Sequence, residues 1–235
     1  MKKQAIVIHS GGMDSSICLA LACREFEPEN VLSLGFSYNQ RHTNELKQAA
    51  LICKEWEVDH IVLNLDVLQK ITRNSLTDHQ MKIEHREDQV PNSLVVGRNG
   101  LMVRIASIHA NELGASCVYT GVIEVESSNS GYRDCSREYM DLMEKILRID
   151  LANPHFEIRT PVVKMTKKET LKLADELGIL DFLLKETITC YEGVPLQGCG
   201  HCPACVLRNQ GILEYLTEHP DRKLPYQLAV QTLKN

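Results

Sequence analysis

No stretch of this sequence approaches the roughly 18–20 consecutive apolar residues that a membrane span requires. Nor is there an excess of positive charge: 26 Lys and Arg stand against 31 Asp and Glu, for a formal net charge of −5. That balance excludes a protein that coats nucleic acid by charge alone, and direct nucleic-acid binding is not expected. It leaves room for a small, locally basic site. Internal repeats and low-complexity tracts are lacking too. The first residues, Met1-Lys2-Lys3-Gln4, lead into an apolar stretch too short for a signal peptide, and Asp14 and Arg24 follow soon after. The expectation is a cytoplasmic protein with no membrane partner. Hydrophobic residues make up 43% of 235, enough for a packed core, so global disorder is excluded as well.

What the chain does have in number is cysteine, with nine. A reducing compartment argues against a disulfide framework, and an odd count would strand one thiol. Metal binding, core packing or catalysis must account for them.

Strand-like and helix-like segments alternate. Gln4–His9, Val31–Tyr38, His60–Leu65, Ser116–Val122 and Glu157–Thr160 read as strands. Asp14–Arg24, Asn44–Glu57, Gly100–Leu113, Arg137–Ile149 and Thr166–Leu177 read as helices. Thr166 with Glu169 forms a capping-box pattern, and Gly114 and Gly178 stand at helix ends. The alternation predicts an α/β fold: a mainly parallel sheet with helices on both faces. Gln69–Asn92 is polar and aperiodic, expected to be a long active-site loop or a surface insertion. Beyond about residue 180 cysteine, glycine and proline crowd together before a last helix, Cys205–Leu216. The expected division is an α/β domain over 1–180 and a small C-terminal region over 181–235.

Ser10-Gly11-Gly12-Met13-Asp14-Ser15-Ser16 joins the first strand to the first helix. Glycines permit close backbone approach, and the loop's N–H groups, its serine hydroxyls and the helix dipole converge on an anion. No Gly-Lys-Ser/Thr follows, so it is not a Walker A loop, and it is not a G-x-G-x-x-G fingerprint. S-G-G-x-D-S resembles the pyrophosphate (PP) loop of ATP pyrophosphatases, which split ATP between its α and β phosphates. His9 through Leu19, that is His9, Ser10, Gly11, Gly12, Met13, Asp14, Ser15, Ser16, Ile17, Cys18 and Leu19, are the candidate ATP-binding residues. Asp14 could hold Mg²⁺ or cap the helix.

Cys190, Cys199, Cys202 and Cys205 form C-x8-C-x2-C-x2-C. Thiolates two residues apart can share one tetrahedral Zn²⁺, and four of them make a closed, structural kind of site. A four-iron cluster is the alternative, and redox cysteines come third. His201 reads as a neighbour. Cys18, Cys23, Cys53 and Cys117 fall in helix or strand patterns and read as small core residues. Cys135 could approach a substrate or play a structural part.

With both motifs in hand, the chain resembles the QueC family, the 7-cyano-7-deazaguanine synthases, from Ile6 to about Leu216. Besides the loop and the cysteine run, the ordered matches are Tyr38-Asn39-Gln40-Arg41-His42, Gly97-Arg98-Asn99, Thr120-Gly121-Val122, Ser130-Gly131-Tyr132, Asp134-Cys135, Thr160-Pro161, Lys167, Glu169-Thr170, Glu186-Thr187 and Thr189-Cys190-Tyr191. The resemblance implies an adenine-nucleotide α-hydrolase-like fold, ATP with Mg²⁺, a structural zinc and a homodimer. It also implies a reaction: 7-carboxy-7-deazaguanine, ammonia and ATP pass through an amide to the nitrile. Asp14, Arg41, Arg98 and Lys167 are then the candidate catalytic residues, since cations must meet developing phosphate charge. Gln40, His42, Asn99, Gly131, Tyr132, Asp134 and Cys135 are the candidate substrate residues.

The sequence departs from the family where a substrate pocket is expected. Val96 replaces the proline of V-P-G-R-N, which is expected to loosen that turn. Arg133 replaces the proline of S-G-Y-P-D-C-R, Ser136 its arginine, and two residues are added near Glu126-Ser127-Ser128-Asn129. This suggests a retained activation engine with an altered acyl or acceptor pocket. The competing reading is a QueC-like ligase of anti-phage defence that joins the activated deazaguanine to a protein amine. A tRNA-thiolating ATP pyrophosphatase and a zinc-stabilised nucleotide-binding module without chemistry are further alternatives.

Overall fold

The computed structural model describes residues 2–38, 44–72, 94–124 and 131–229. Five strands form one sheet: β1 (Ala5–Ile8), β2 (Val31–Ser37), β3 (Asp59–Asn64), β4 (Cys117–Thr120) and β5 (Glu157–Arg159). Their order is β3-β2-β1-β4-β5, and every pairing is parallel. The helices are α1 (Met13–Phe26), α2 (Asn44–Glu55), α3 (Val67–Ile71), α4 (Arg98–Leu113), α5 (Arg137–Asp150), α6 (Lys167–Glu176), α7 (Leu180–Glu186) and α8 (Pro203–Glu218). Every strand and helix expected from the sequence is present, with ends shifted by up to two residues. The pattern did not show α3 and α7, which are short. Among the described residues, no helix is long and apolar enough to cross a membrane.

Strand alternation divides the core in two. Ala5 and Val7 face one side, with Ile17 and Leu19 of α1 and Leu171 of α6. Ile6 faces the other, with Leu34, Val118 and, from α4, Val103 and Ala106. Such two-sided burial is what a parallel sheet requires. The first cluster also takes in Leu183 of α7 and Ile212 and Tyr215 of α8, so the C-terminal helices pack on the same core as the nucleotide loop's helix. Cys18, Cys53 and Cys117 are buried in it and Cys23 packs against it.

The strand order places the site. The chain runs outward from β1 through β2 and β3, then returns to the far side of β1 as β4. Ile8 is in register with Leu34 and with Thr120, so the loops after β1 and β4 emerge side by side. Such a switch point leaves a crevice at the carboxyl ends of the strands.

Candidate active site

That crevice holds a cavity of about 370 Å³. One wall is the nucleotide loop, represented by Ser10, Gly12, Met13, Asp14 and Ser15. Within the loop, Ser15 Oγ donates to the Gly12 carbonyl at 3.1 Å and Ser16 Oγ donates to it at 2.8 Å. Gly11 has φ 84°, and a Cβ there would lie 2.3 Å from the Glu45 carbonyl oxygen. Glycine is therefore required both for the turn and for the approach of α2.

Lys167 begins α6, whose capping box is complete: the Thr166 hydroxyl accepts from the Glu169 N–H while the Glu169 carboxylate accepts from the Thr166 N–H. The helix start carries Lys167 to the cavity, where Nζ donates to Asp14 Oδ2 at 2.6 Å. Asp14 Oδ1 is buried and meets no hydrogen-bond partner among the described residues. It makes no helix-capping bond either. A buried carboxylate oxygen without a donor suits a hard cation, so Asp14 fits the Mg²⁺ role better than the capping role.

The opposite wall is aromatic and basic. Arg98 opens α4, donates to the Tyr38 hydroxyl at 3.4 Å and lies 5.7 Å from the centre of the Tyr38 ring. Tyr132 and Tyr191 line the same side. Asn99 also lines the cavity; its side chain donates to Cys135 Sγ at 3.2 Å. Asp134 is buried behind it and accepts from the Asn99 backbone N–H at 2.8 Å, at the start of α4.

The structure thus brings together Ser10, Gly12, Met13, Asp14, Ser15, Lys167, Arg98, Asn99, Tyr132 and Cys135. His9 reaches the cavity edge, but its ring points into the interior and bonds to Ser33 and Ser16. Ile17, Cys18 and Leu19 lie fully buried in the core beneath the loop, outside the cavity lining, because one helical turn carries them below the switch point. Gly11, Ser16, Gly131 and Asp134 do not line the cavity, although Ser16 and Asp134 are hydrogen-bonded to the lining residues Gly12 and Asn99. Gln40, Arg41 and His42 lie outside the described residues, as does most of Gln69–Asn92.

The sequence predicts a loosened turn at Val96. The turn is closed by a hydrogen bond from the Arg98 N–H to the Val95 carbonyl, and Val96 is exposed. Arg133 is exposed too, and Ser136 caps α5 by accepting from the Tyr139 N–H. None of these three departures lines the cavity; Glu126–Asn129 lies outside the described residues.

Sequence reasoning did not identify Glu45, Thr189, Tyr191 or Met102 as lining residues. Glu45 carried a usable signal, an acidic residue on the first turn of a helix that follows a strand end. Burial pushes its carboxyl up to about 7, with Arg98 opposing the shift and Cys190 adding to it. A folded chain that keeps this proton above the usual 4.5 gains stability at low pH and loses it as pH rises through 7. Glu45→Gln, neutral throughout, should therefore be more stable than the parent at pH 8 by about 2 kcal/mol, with the gap shrinking toward pH 5. Denaturant unfolding across that range checks it.

The sequence matches the family described as queuosine biosynthesis protein QueC over residues 4–216. The chain belongs to the QueC family. It is 41% identical over 221 residues to the 7-cyano-7-deazaguanine synthase of Bacillus subtilis (strain 168), covering 94% of this chain and 99% of that protein. This QueC-family chain is an ATP-dependent enzyme of the C–N bond-forming kind. Its fold is shared with the NH3-dependent NAD synthetase from Campylobacter jejuni subsp. jejuni NCTC 11168, solved in complex with the nitrate ion, at a TM-score of 0.50 and 14% identity over 97% of this chain and 90% of that one. The fold is that of the PP-loop ATP pyrophosphatases.

Beside the cavity, the sulfurs of Cys190, Cys199, Cys202 and Cys205 all lie within 4.8 Å of one another. Backbone N–H groups of Glu192, Cys202 and Cys205 donate to the sulfurs of Cys190, Cys199 and Cys202 at 3.4, 3.3 and 3.4 Å. Those bonds stabilise thiolate charge and orient each ligand. Buried Arg208 ties the loop to α8 by donating to the carbonyls of Leu196 and Gln197 at 2.9 and 2.6 Å. The four residues could hold a metal. His201, exposed, is turned to the Cys199 carbonyl and to Glu192.

Proposed function

We propose that this chain adenylylates the carboxylate of 7-carboxy-7-deazaguanine with ATP, passes the acyl group to ammonia, and dehydrates the amide to 7-cyano-7-deazaguanine. The observation that carries the reading is the Asp14–Lys167 pair, set beside the S-G-G-x-D-S loop and facing a basic, aromatic wall across one cavity. The kinship with a curated 7-cyano-7-deazaguanine synthase supports the choice of substrate.

A carboxylate repels an amine and has a poor leaving group. Attack of its oxygen on the α-phosphorus of ATP forms the acyl adenylate and breaks the bond to pyrophosphate. The helix N-terminus and the Ser10 hydroxyl would hold the departing pyrophosphate. Lys167 supplies positive charge where it accumulates. Asp14 Oδ1 would hold Mg²⁺, which neutralises polyphosphate charge when bound. Ammonia then displaces AMP, leaving the amide. A second adenylylation, on the amide oxygen, makes that oxygen a leaving group, and loss of AMP and two protons from nitrogen yields the nitrile. Tyr132, Tyr191 and Arg98 form a wall suited to a flat heterocycle, with Arg98 available to a carboxylate or phosphate.

We also assign the four thiolates to one structural Zn²⁺. Tetrahedral coordination at ~2.3 Å places sulfurs ~3.8 Å apart. Cys199 and Cys205 sulfurs are 3.9 Å apart. A four-iron cube binds each thiolate to a different iron and spreads them further. The ligase reading gains nothing from Val96, Arg133 and Ser136, which do not line the cavity.

Incubation with ATP, ammonia and 7-carboxy-7-deazaguanine, followed by mass spectrometry, tests the reaction. AMP, pyrophosphate and the nitrile mass are expected. A stable amide or adenylate without nitrile would defeat the dehydration step, and no turnover would defeat the substrate assignment.

A further inference from the structure

Beneath the nucleotide loop lies a buried polar cluster that the reaction above does not use. Its centre is His9, 1% exposed on the loop side of β1. His9 Nε2 is 3.0 Å from Ser16 Oγ, and His9 Nδ1 is 3.1 Å from Ser33 Oγ. Ser33 Oγ is 2.9 Å from His60 Nδ1. Cys53 Sγ is 3.5 Å from His9 Nδ1.

Proton counting gives the cluster a direction. The Ser16 hydroxyl has one proton and donates it to the Gly12 carbonyl at 2.8 Å. His9 Nε2 must therefore be the donor to Ser16. Burial, and then the neighbouring His60, hold the His9 imidazole at about 3, so at neutral pH it carries a single proton. Nδ1 is then an acceptor. Ser33, nearer than Cys53 and a stronger donor than a thiol, serves it. Ser33 in turn accepts from His60 Nδ1. One chain of donors runs His60, Ser33, His9, Ser16 to the Gly12 carbonyl, crossing β3, β2 and β1 into the first turn of α1.

The end point matters. The Gly12 carbonyl also accepts from the Ser16 N–H at 3.1 Å and from Ser15 Oγ at 3.1 Å. A carbonyl oxygen turned toward the cavity would repel a polyphosphate. Held by these donors, it points into the helix start. We propose that His9 is a positioning residue for the nucleotide loop: through Ser16 it locks the Gly12 carbonyl away from the phosphates and so sets the affinity for ATP. The inference rests on the ATP use proposed above.

Calorimetric titration of ATP into the full chain tests it, with thermal unfolding and metal content measured on the same samples. His9→Leu, which leaves Ser16 without its donor, should weaken ATP binding about tenfold. Ser16→Ala should do the same, and the double variant should be no weaker than either single one. His9→Gln, which keeps an amide donor, should recover most of the loss. Affinity for the carboxylate substrate should hold throughout. A His9→Leu protein that melts earlier yet binds ATP normally would overturn the inference alone. A parent chain that binds no ATP would overturn both it and the proposed function. His9, Cys53 and His60 also offer three donor atoms within 4.8 Å of one another. A second metal equivalent lost in Cys53→Ala would replace the hydrogen-bond chain with a metal site. If His9→Leu does not fold, Ser33→Ala decides: weaker ATP binding with an unchanged carboxylate affinity is expected, and unchanged ATP binding refutes.

Discussion

Asp14→Asn should lower ATP-dependent AMP formation by about a hundredfold to a thousandfold while leaving the fold intact. The size follows from what the residue does with its two oxygens. One is salt-bridged to Lys167 at 2.6 Å; the other is buried beside the cavity with no donor among the described residues. Asparagine keeps the shape but removes the charge that Lys167 faces and weakens any hold on a cation. The check is initial-rate AMP release under saturating ATP, beside a thermal melt of the same preparation. A variant that melts with the parent and turns over normally would remove Asp14 from the chemistry. A variant that is inactive only because it unfolds would show up in the melt.

Removal of one metal ligand should have an equally large effect, read in stability. With the four thiolates assigned to one zinc, Cys202→Ser is expected to leave that coordination incomplete and to destabilise the chain by on the order of 5 kcal/mol, given the strength of structural zinc sites. Cys202 is buried at the start of α8, so a serine there would also leave a hydroxyl among sulfurs. Activity should fall with it. Gly211 of α8 is pressed against α6 so closely that a Cβ would lie 2.4 Å from the Lys167 Cβ. Ala204 and Leu207 of α8 line the cavity itself. Loosening α8 therefore loosens the support of the lysine that pairs with Asp14. Metal analysis of both proteins and denaturant unfolding with and without chelator are the measurements. One zinc per chain retained in Cys202→Ser would refute the four-thiolate assignment.

These two residues also mark where sequence reasoning succeeds and where it stops. Asp14 was legible because the motif is local: seven consecutive residues, from the loop after β1 through the first turn of α1, state their own geometry. The four cysteines were legible for the same reason, as spacing along one segment. Lys167 was placed by family resemblance, but its partner was not, because Asp14 lies 153 residues earlier and only the parallel order β1-β4-β5 brings α1, which follows β1, and α6, which follows β5, to one crevice. The extent of the loop motif was overstated at Ile17, Cys18 and Leu19, which turn inward after the first turn of α1. Tyr191 was missed because burial, not residue type, makes it part of the cavity, and Glu45 because its signal, an acidic first helical turn after a strand end, was passed over. The sequence departures at Val96, Arg133 and Ser136 looked like a remodelled pocket; they lie at an exposed turn, an exposed position and a helix cap.

Local rules in the chain therefore set the strand and helix alternation, the capping of α6, the nucleotide loop and the metal-binding spacing. Each depends on neighbours within about ten residues, whose geometry follows from backbone sterics, hydrogen bonding and side-chain period. Tertiary structure alone decided that the His9 ring is buried between Ser16 and Ser33, and how Asp14, Lys167 and Arg98 come to share one space. Those outcomes depend on burial and on contacts between distant segments, and a linear pattern carries no measure of either.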